Sequence, residues 1–156
     1  MPKQRSVSIN NAHPGLKFKQ AEVKALYRFL DQGLSCDDAI PDGELSIAFV
    51  DADGISQLHE QFLSDPTVTD VITFPGDQEE DLAGEICVCV DFAIEQAPRF
   101  EQSFAEELTL YLVHGWLHLA GYDDVQEADR AEMRKAEVRT MDAVKKAEKL
   151  PDFILK

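Results

Sequence analysis

Cysteine, histidine and centrally placed basic residues are scarce in this chain, and each scarcity narrows the reading. Three cysteines make an odd count without a C-x-x-C pair, which excludes a disulfide framework and a cysteine-rich structural zinc site. Cys87 and Cys89 alternate with Ile86, Val88 and Val90 and read as small buried side chains on a strand. No apolar run reaches the length of a membrane span, and Met1-Pro-Lys-Gln-Arg-Ser lacks the hydrophobic stretch of a secretion signal. A reduced, cytoplasmic protein is the expectation. Residues 29–110 hold twenty acids and one base, Arg99, within a total net charge of −15. That excludes general binding of DNA or any other polyanion over the whole surface. The bases cluster at either end: six in residues 1–28 and eight in residues 111–156.

A chain of 156 residues, 44% hydrophobic, suits one domain with one core. Periodicity supplies its elements. Val7 and Ile9 alternate with polar neighbours as a first strand. Val23, Leu26, Tyr27, Leu30 and Leu34 recur at helical steps from Lys19 and predict a first helix weakened at Gly33, then a loop from Cys36 to Gly43. Glu44–Val50 predicts a strand, and Asp51 or Asp53 caps a short helix carrying Ile55, Leu58, His59 and Phe62. After Asp65-Pro66, the β-branched run from Thr69 to Phe74 predicts a strand stopped by Pro75-Gly76. Gln78–Asp81 reads as an acidic loop. Glu85–Val90, apolar on both faces, predicts a central strand. Ser103 with Glu106 forms a capping box for a helix over Phe104–Leu119. A final helix spans Gln126–Lys149 with Met133, Ala136, Met141 and Val144 as its packing stripe, and 151–156 reads as a short tail. The expected fold is α+β in a single domain over 1–156, with a mixed sheet of about four strands, several helices and the functional site on a central helix.

That site is His114-Gly-Trp-Leu-His118-Leu-Ala-Gly-Tyr-Asp-Asp124. Two imidazoles four residues apart share one helix face. Gly121 can end the helix and return the chain, so that Asp124 adds an oxygen ligand. Three protein ligands leave one position for water, the pattern of a catalytic zinc rather than a structural one. Each residue also has a plainer role. Asp124 can cap the next helix in a box with Glu127, and Gly121 can be an ordinary helix-ending glycine. His13, before Pro14, is expected to face solvent, and His59 to be a satisfied surface imidazole. Glu107 and Tyr111, seven and three residues before His114, could hold the second nitrogen of a ligand imidazole or be core.

The motif resembles the signature of the YbeY family, the bacterial rRNA-maturation endoribonucleases. Thr69-Asp-Val-Ile-Thr-Phe-Pro75 is similar to that family's T-D-V-L-S-F-P strand, and Leu82-Ala-Gly-Glu-Ile86 with Gln96-Ala97 to its next strand and helix. The resemblance implies one zinc ion, a single-stranded RNA substrate, and work with the ribosomal small subunit and its assembly proteins. Three positions depart from it. Asp124 stands in place of the third histidine, His59 where asparagine is preferred, and Leu63 where an arginine is expected to hold phosphate. On this reading an ion on His114, His118 and Asp124 acidifies a water for attack on a phosphodiester, and Arg99 supplies the further cation. Two rivals stand beside it. A metzincin-like peptidase needs a glutamate directly after the first histidine, where Gly115 stands. A ribosome-assembly factor could keep the fold and lose the chemistry.

Overall fold

A computed structural model describes residues 5–32 and 38–156. Gly33, Leu34 and Cys36, expected to end the first helix and open a loop, lie outside the described residues. The principal sheet joins β1 (Val7–Asn11), β3 (Glu44–Val50), β5 (Leu82–Cys89) and β4 (Val71–Asp77) in the order β1-β3-β5-β4. β1 and β5 both run parallel to β3, and β4 runs antiparallel to β5. The sheet is therefore mixed, with β5 flanked on both sides. That position explains its sequence: alternate residues face two different apolar layers.

On one face Leu45, Ile47 and Phe49 of β3 and Ile86 and Val88 of β5 join the main core. α1 (Gln20–Asp31) contributes Val23, Leu26, Tyr27 and Leu30 to it, and α4 (Phe104–Leu119) contributes Leu108, Leu112, Val113, Trp116 and Leu117. Tyr27 and Trp116 stack across these helices with ring centroids 5.6 Å apart. The opposite face, with Ile72, Cys87 and Cys89, receives Ile55 of α2 (Ala52–Leu63). α2 opens on Asp51, whose side chain accepts from the Gly54 N–H at 2.8 Å. Burial, with the charge of Glu85 nearby, pushes the Cys87 thiol up to about 11. It is an inert packing group.

α5 (Glu127–Lys146) lies across α4, and its Met133, Ala136, Met141 and Val144 are buried as the spacing predicts. Two expectations need correction. β4 does not stop at Pro75-Gly76 but pairs onward to Asp77 opposite Leu82. It is an edge strand, so the missing proline N–H costs no ladder bond. β5 ends at Cys89 and turns directly into α3 (Val90–Gln96), a short helix that the residue pattern did not mark although the resemblance placed a helix after this strand. The segment 151–156 is anchored: Phe153 is buried, and β6 (Ile154–Leu155) pairs antiparallel with β2 (Leu16–Lys17). Phe18, Phe49 and Phe153 form one aromatic cluster, which holds the two ends of the chain together.

Candidate metal centre

α4 carries the site because both of its ends are specified locally. At the start, Ser103 accepts from the Glu106 N–H at 3.1 Å while Glu106 accepts from the Ser103 N–H at 3.4 Å. At the end, the Tyr122 N–H bonds Leu117 O at 3.0 Å and the Gly121 N–H bonds His118 O at 3.1 Å. This is a Schellman turn, with Gly121 at φ +112° in the left-handed region that glycine tolerates best. Beyond it Asp123 accepts from the N–H groups of Asp124 and Val125 at 2.7 and 3.3 Å, which completes the bend.

The bend is fastened from below. Trp116 Nε1 donates to Asp38 O at 2.8 Å, and the Tyr122 hydroxyl donates to Asp38 Oδ1 at 2.7 Å. Arg139 of α5 donates to both Asp38 carboxylate oxygens, at 3.1 and 2.8 Å. The hydrogen bond to Asp38, reinforced by burial, raises the Tyr122 hydroxyl above its ordinary range.

His114 and His118 project from one side of α4 with rings 4.7 Å apart and nearly perpendicular. Asp124 Oδ2 lies 3.3 Å from His118 Nε2 and 3.8 Å from His114 Nε2. One ligating atom from each residue falls within 4.8 Å of the other two. A tetrahedral zinc bound at ~2.0–2.1 Å holds neighbouring ligand atoms roughly 3.3 Å apart. The separations fit such an ion with small closing movements, and all three side chains remain partly open to solvent. The capping role for Asp124 does not occur. The N-cap of α5 is Gln126, which makes no side-chain cap, and the Asp124 carboxylate is turned to the imidazoles instead.

The partner of His114 Nδ1 is Glu137 of α5, at 2.6 Å, and neither Glu107 nor Tyr111 fills that place. With Nδ1 bonded to the carboxylate, the Nε2 lone pair is left to face Asp124 and His118, the orientation a metal ligand needs. Burial of the ring works against protonation. The hydrogen bond and charge of Glu137, helped by Asp70 and Asp124, outweigh it and raise His114 above its ordinary value. Glu107 is itself buried, which raises its carboxyl. The sequence did hold a signal for Glu137: it falls four residues after Met133 and four before Met141, on the buried stripe of an otherwise solvated helix. An acid on a packing stripe needs a partner.

Gly115, between the two positions on α4, lies against the sheet. A Cβ there would stand 2.5 Å from Ile86 Cγ2, and Ile86 is fully buried. A glutamate side chain cannot be accommodated, so the general base of a metzincin peptidase has no place in this fold.

The remaining expectations separate from the site. Arg99 sits on the 3-10 turn Ala97–Phe100, 64% exposed and 3.3 Å from Glu95. It does not line the cleft that holds His114 and Asp124, because the turn points its side chain outward. His13 does not face solvent. Its Nδ1 accepts from the Gly15 N–H at 3.0 Å and its Nε2 bonds Asp91 Oδ1 at 2.8 Å. His59 Nδ1 bonds Thr67 O at 2.9 Å, a satisfied imidazole, and Leu63 at the end of α2 is 61% exposed.

A family profile described as Endoribonuclease YbeY matches residues 8–145. Endoribonuclease YbeY of Protochlamydia amoebophila (strain UWE25) is 42% identical over 148 residues, covering 91% of this chain and 95% of that protein. Endoribonuclease YbeY of Renibacterium salmoninarum is 36% identical over 138 residues, covering 82% and 85%. A solution structure from Thermotoga maritima superposes with a TM-score of 0.61 at 31% identity, covering 88% of each chain. The profile spans the sheet, the α4 motif and nearly all of α5, and with these relatives it shows that the chain belongs to the YbeY family of endoribonucleases.

Proposed function

We propose that this chain is a metal-dependent endoribonuclease specific for single-stranded RNA, acting in rRNA maturation and ribosome quality control. The observation that carries the reading is the convergence of His114, His118 and Asp124 on one point with an open side. Family membership, and the activity named for the relatives, give the reaction class. Two imidazoles and one carboxylate form a borderline ligand set, which favours zinc over magnesium or calcium. A divalent ion held there would supply an acidified water and polarise a phosphoryl oxygen.

The chain's own residues do the rest. Glu137 fixes the His114 ring so that Nε2 faces the shared point, and it can hold the proton at Nδ1. Asp124 brings one negative charge, so the loaded site is less electropositive than one built from three neutral histidines. The Asp38, Tyr122 and Arg139 bonds hold the bend on which Asp124 is carried. In this reading the partners are rRNA, the ribosomal small subunit and its assembly proteins, and the compartment is the cytoplasm. No described helix is long and apolar enough to cross a membrane.

The test is to incubate metal-loaded protein with unstructured RNA, duplex RNA, DNA and casein, each with and without chelator. Cleavage of unstructured RNA alone, lost with chelator and restored by zinc, is expected. Stoichiometric metal with intact RNA at every pH would favour the non-catalytic assembly factor instead.

A further inference from the structure

His114 and Asp124 line a cleft of about 830 Å³, within the range of roughly 300–1,000 Å³ typical of ligand sites. The cleft runs between α4, α5 and the turn Ala97–Phe100. Its lining is net acidic, seven carboxylates against three cations, Arg130, Arg134 and Lys145, all on α5. Two are already engaged. Lys145 Nζ lies 2.8 Å from Glu106 Oε2, and Arg130 Nη1 donates to Val125 O at 3.0 Å and Asp124 O at 3.4 Å, bracing the bend. Arg134 makes no hydrogen bond or ion pair with any described residue, and it is exposed.

Position singles it out further. Arg134 precedes Glu137, the carboxylate on His114, by three residues, or ~4.5 Å of helix rise, on neighbouring positions of one face. Phe100 is 62% exposed and lines the same cleft. Resting on the endoribonuclease reading, we propose that this cleft seats the RNA strand beside the scissile bond, with Arg134 gripping a phosphate and Phe100 stacking an unpaired base. In a cleft with so acidic a lining, Arg134 is the one lining cation without a partner among the described residues, and so the one open to a phosphate. Guanidinium holds phosphate through two parallel hydrogen bonds. An exposed phenyl ring accepts only a base whose face is free, which selects single strands. Leu63 then needs no cation of its own, since α5 provides the phosphate contact.

The experiment uses the full chain loaded with zinc and a fluorescent, unstructured RNA, comparing Arg134→Ala, Arg134→Lys, Phe100→Ala and the control Lys135→Ala. Lys135 carries the same charge on the next residue but lies outside the cleft, close to Glu132 at 3.4 Å. Arg134→Ala should raise KM about tenfold and reduce the salt slope of binding by about one, with metal content unchanged. Arg134→Lys should recover part of the loss. Phe100→Ala should weaken binding about tenfold with the salt slope unchanged, and Lys135→Ala should move KM less than twofold. Should the parent protein cleave RNA while Arg134→Ala and Lys135→Ala behave alike, the cleft assignment falls and the endoribonuclease reading stands. Should the parent leave RNA intact and unbound, both fall together.

Discussion

Two histidine–carboxylate pairs occupy opposite fates in this molecule. At the corner between β1 and β2, His13 spends both ring nitrogens inside the protein, Nδ1 on the Gly15 N–H and Nε2 on Asp91. Asp91 is itself held by the Ala52 N–H at 2.8 Å. Although burial opposes its charge, that N–H and His13 keep its carboxyl below the ordinary range. At α4, His114 spends only Nδ1, on Glu137, and its Nε2 meets two other ligating groups across a partly open gap. Both pairs set an imidazole against a carboxylate. What separates a fastening from a candidate metal ligand is one uncommitted nitrogen and neighbours that converge on it.

That contrast can be broken by substitution, and the largest effect should come from His114→Ala. Metal content, read by elemental analysis, should fall from one ion per chain to background, and RNA cleavage should go with it. Retention of stoichiometric metal would end the assignment. Glu137→Gln should weaken zinc affinity by roughly 10–100-fold in a chelator competition, since only the orientation and basicity of His114 are lost. An unchanged affinity would mean that Glu137 merely packs. Gly115→Ala should cost about 1–3 kcal/mol in urea unfolding, because a methyl group must displace Ile86 from a filled core; a fully stable variant would show that α4 can slide off the sheet freely. His13→Ala should cost about 1–2 kcal/mol and leave zinc affinity within twofold. A matching loss of metal would erase the distinction between the two pairs.

The smallest effect is one of pH. In the chelated protein, Glu137 raises His114 above its ordinary value of 6.5. A histidine raised in the folded state adds stability that is complete below its unfolded value and disappears as pH climbs through the raised one. The stability gap between the parent and Glu137→Gln should therefore be widest below the ordinary value of 6.5 and narrow as pH rises above it. A gap that stays constant would show that the carboxylate does not favour the protonated ring.

Much of this was legible beforehand. The capping box at Ser103, the stripe on α5 and the two-faced run of β5 are local patterns, and each formed as its period required. Pro75 misled because a proline stops a strand only where its N–H is needed, and whether β4 lies at an edge is a property of the sheet. β2 and β6, two residues each, are too short to carry any period. Arg99 was singled out as the lone base in an acidic stretch, but scarcity along the chain says nothing about direction in space. Glu137 lies 23 residues from His114, and only the packing of α5 on α4 makes them neighbours.

The sequence by itself determined the main strands and helices and where the candidate metal-binding group resides, because helix periodicity, caps and the glycine turn act over a few residues. The tertiary structure alone decided which imidazole keeps a free nitrogen and which acid orients it. It also decided which arginine of α5 is left without a partner. Those outcomes depend on contacts between elements distant along the chain, and short-range propensity carries no information about them.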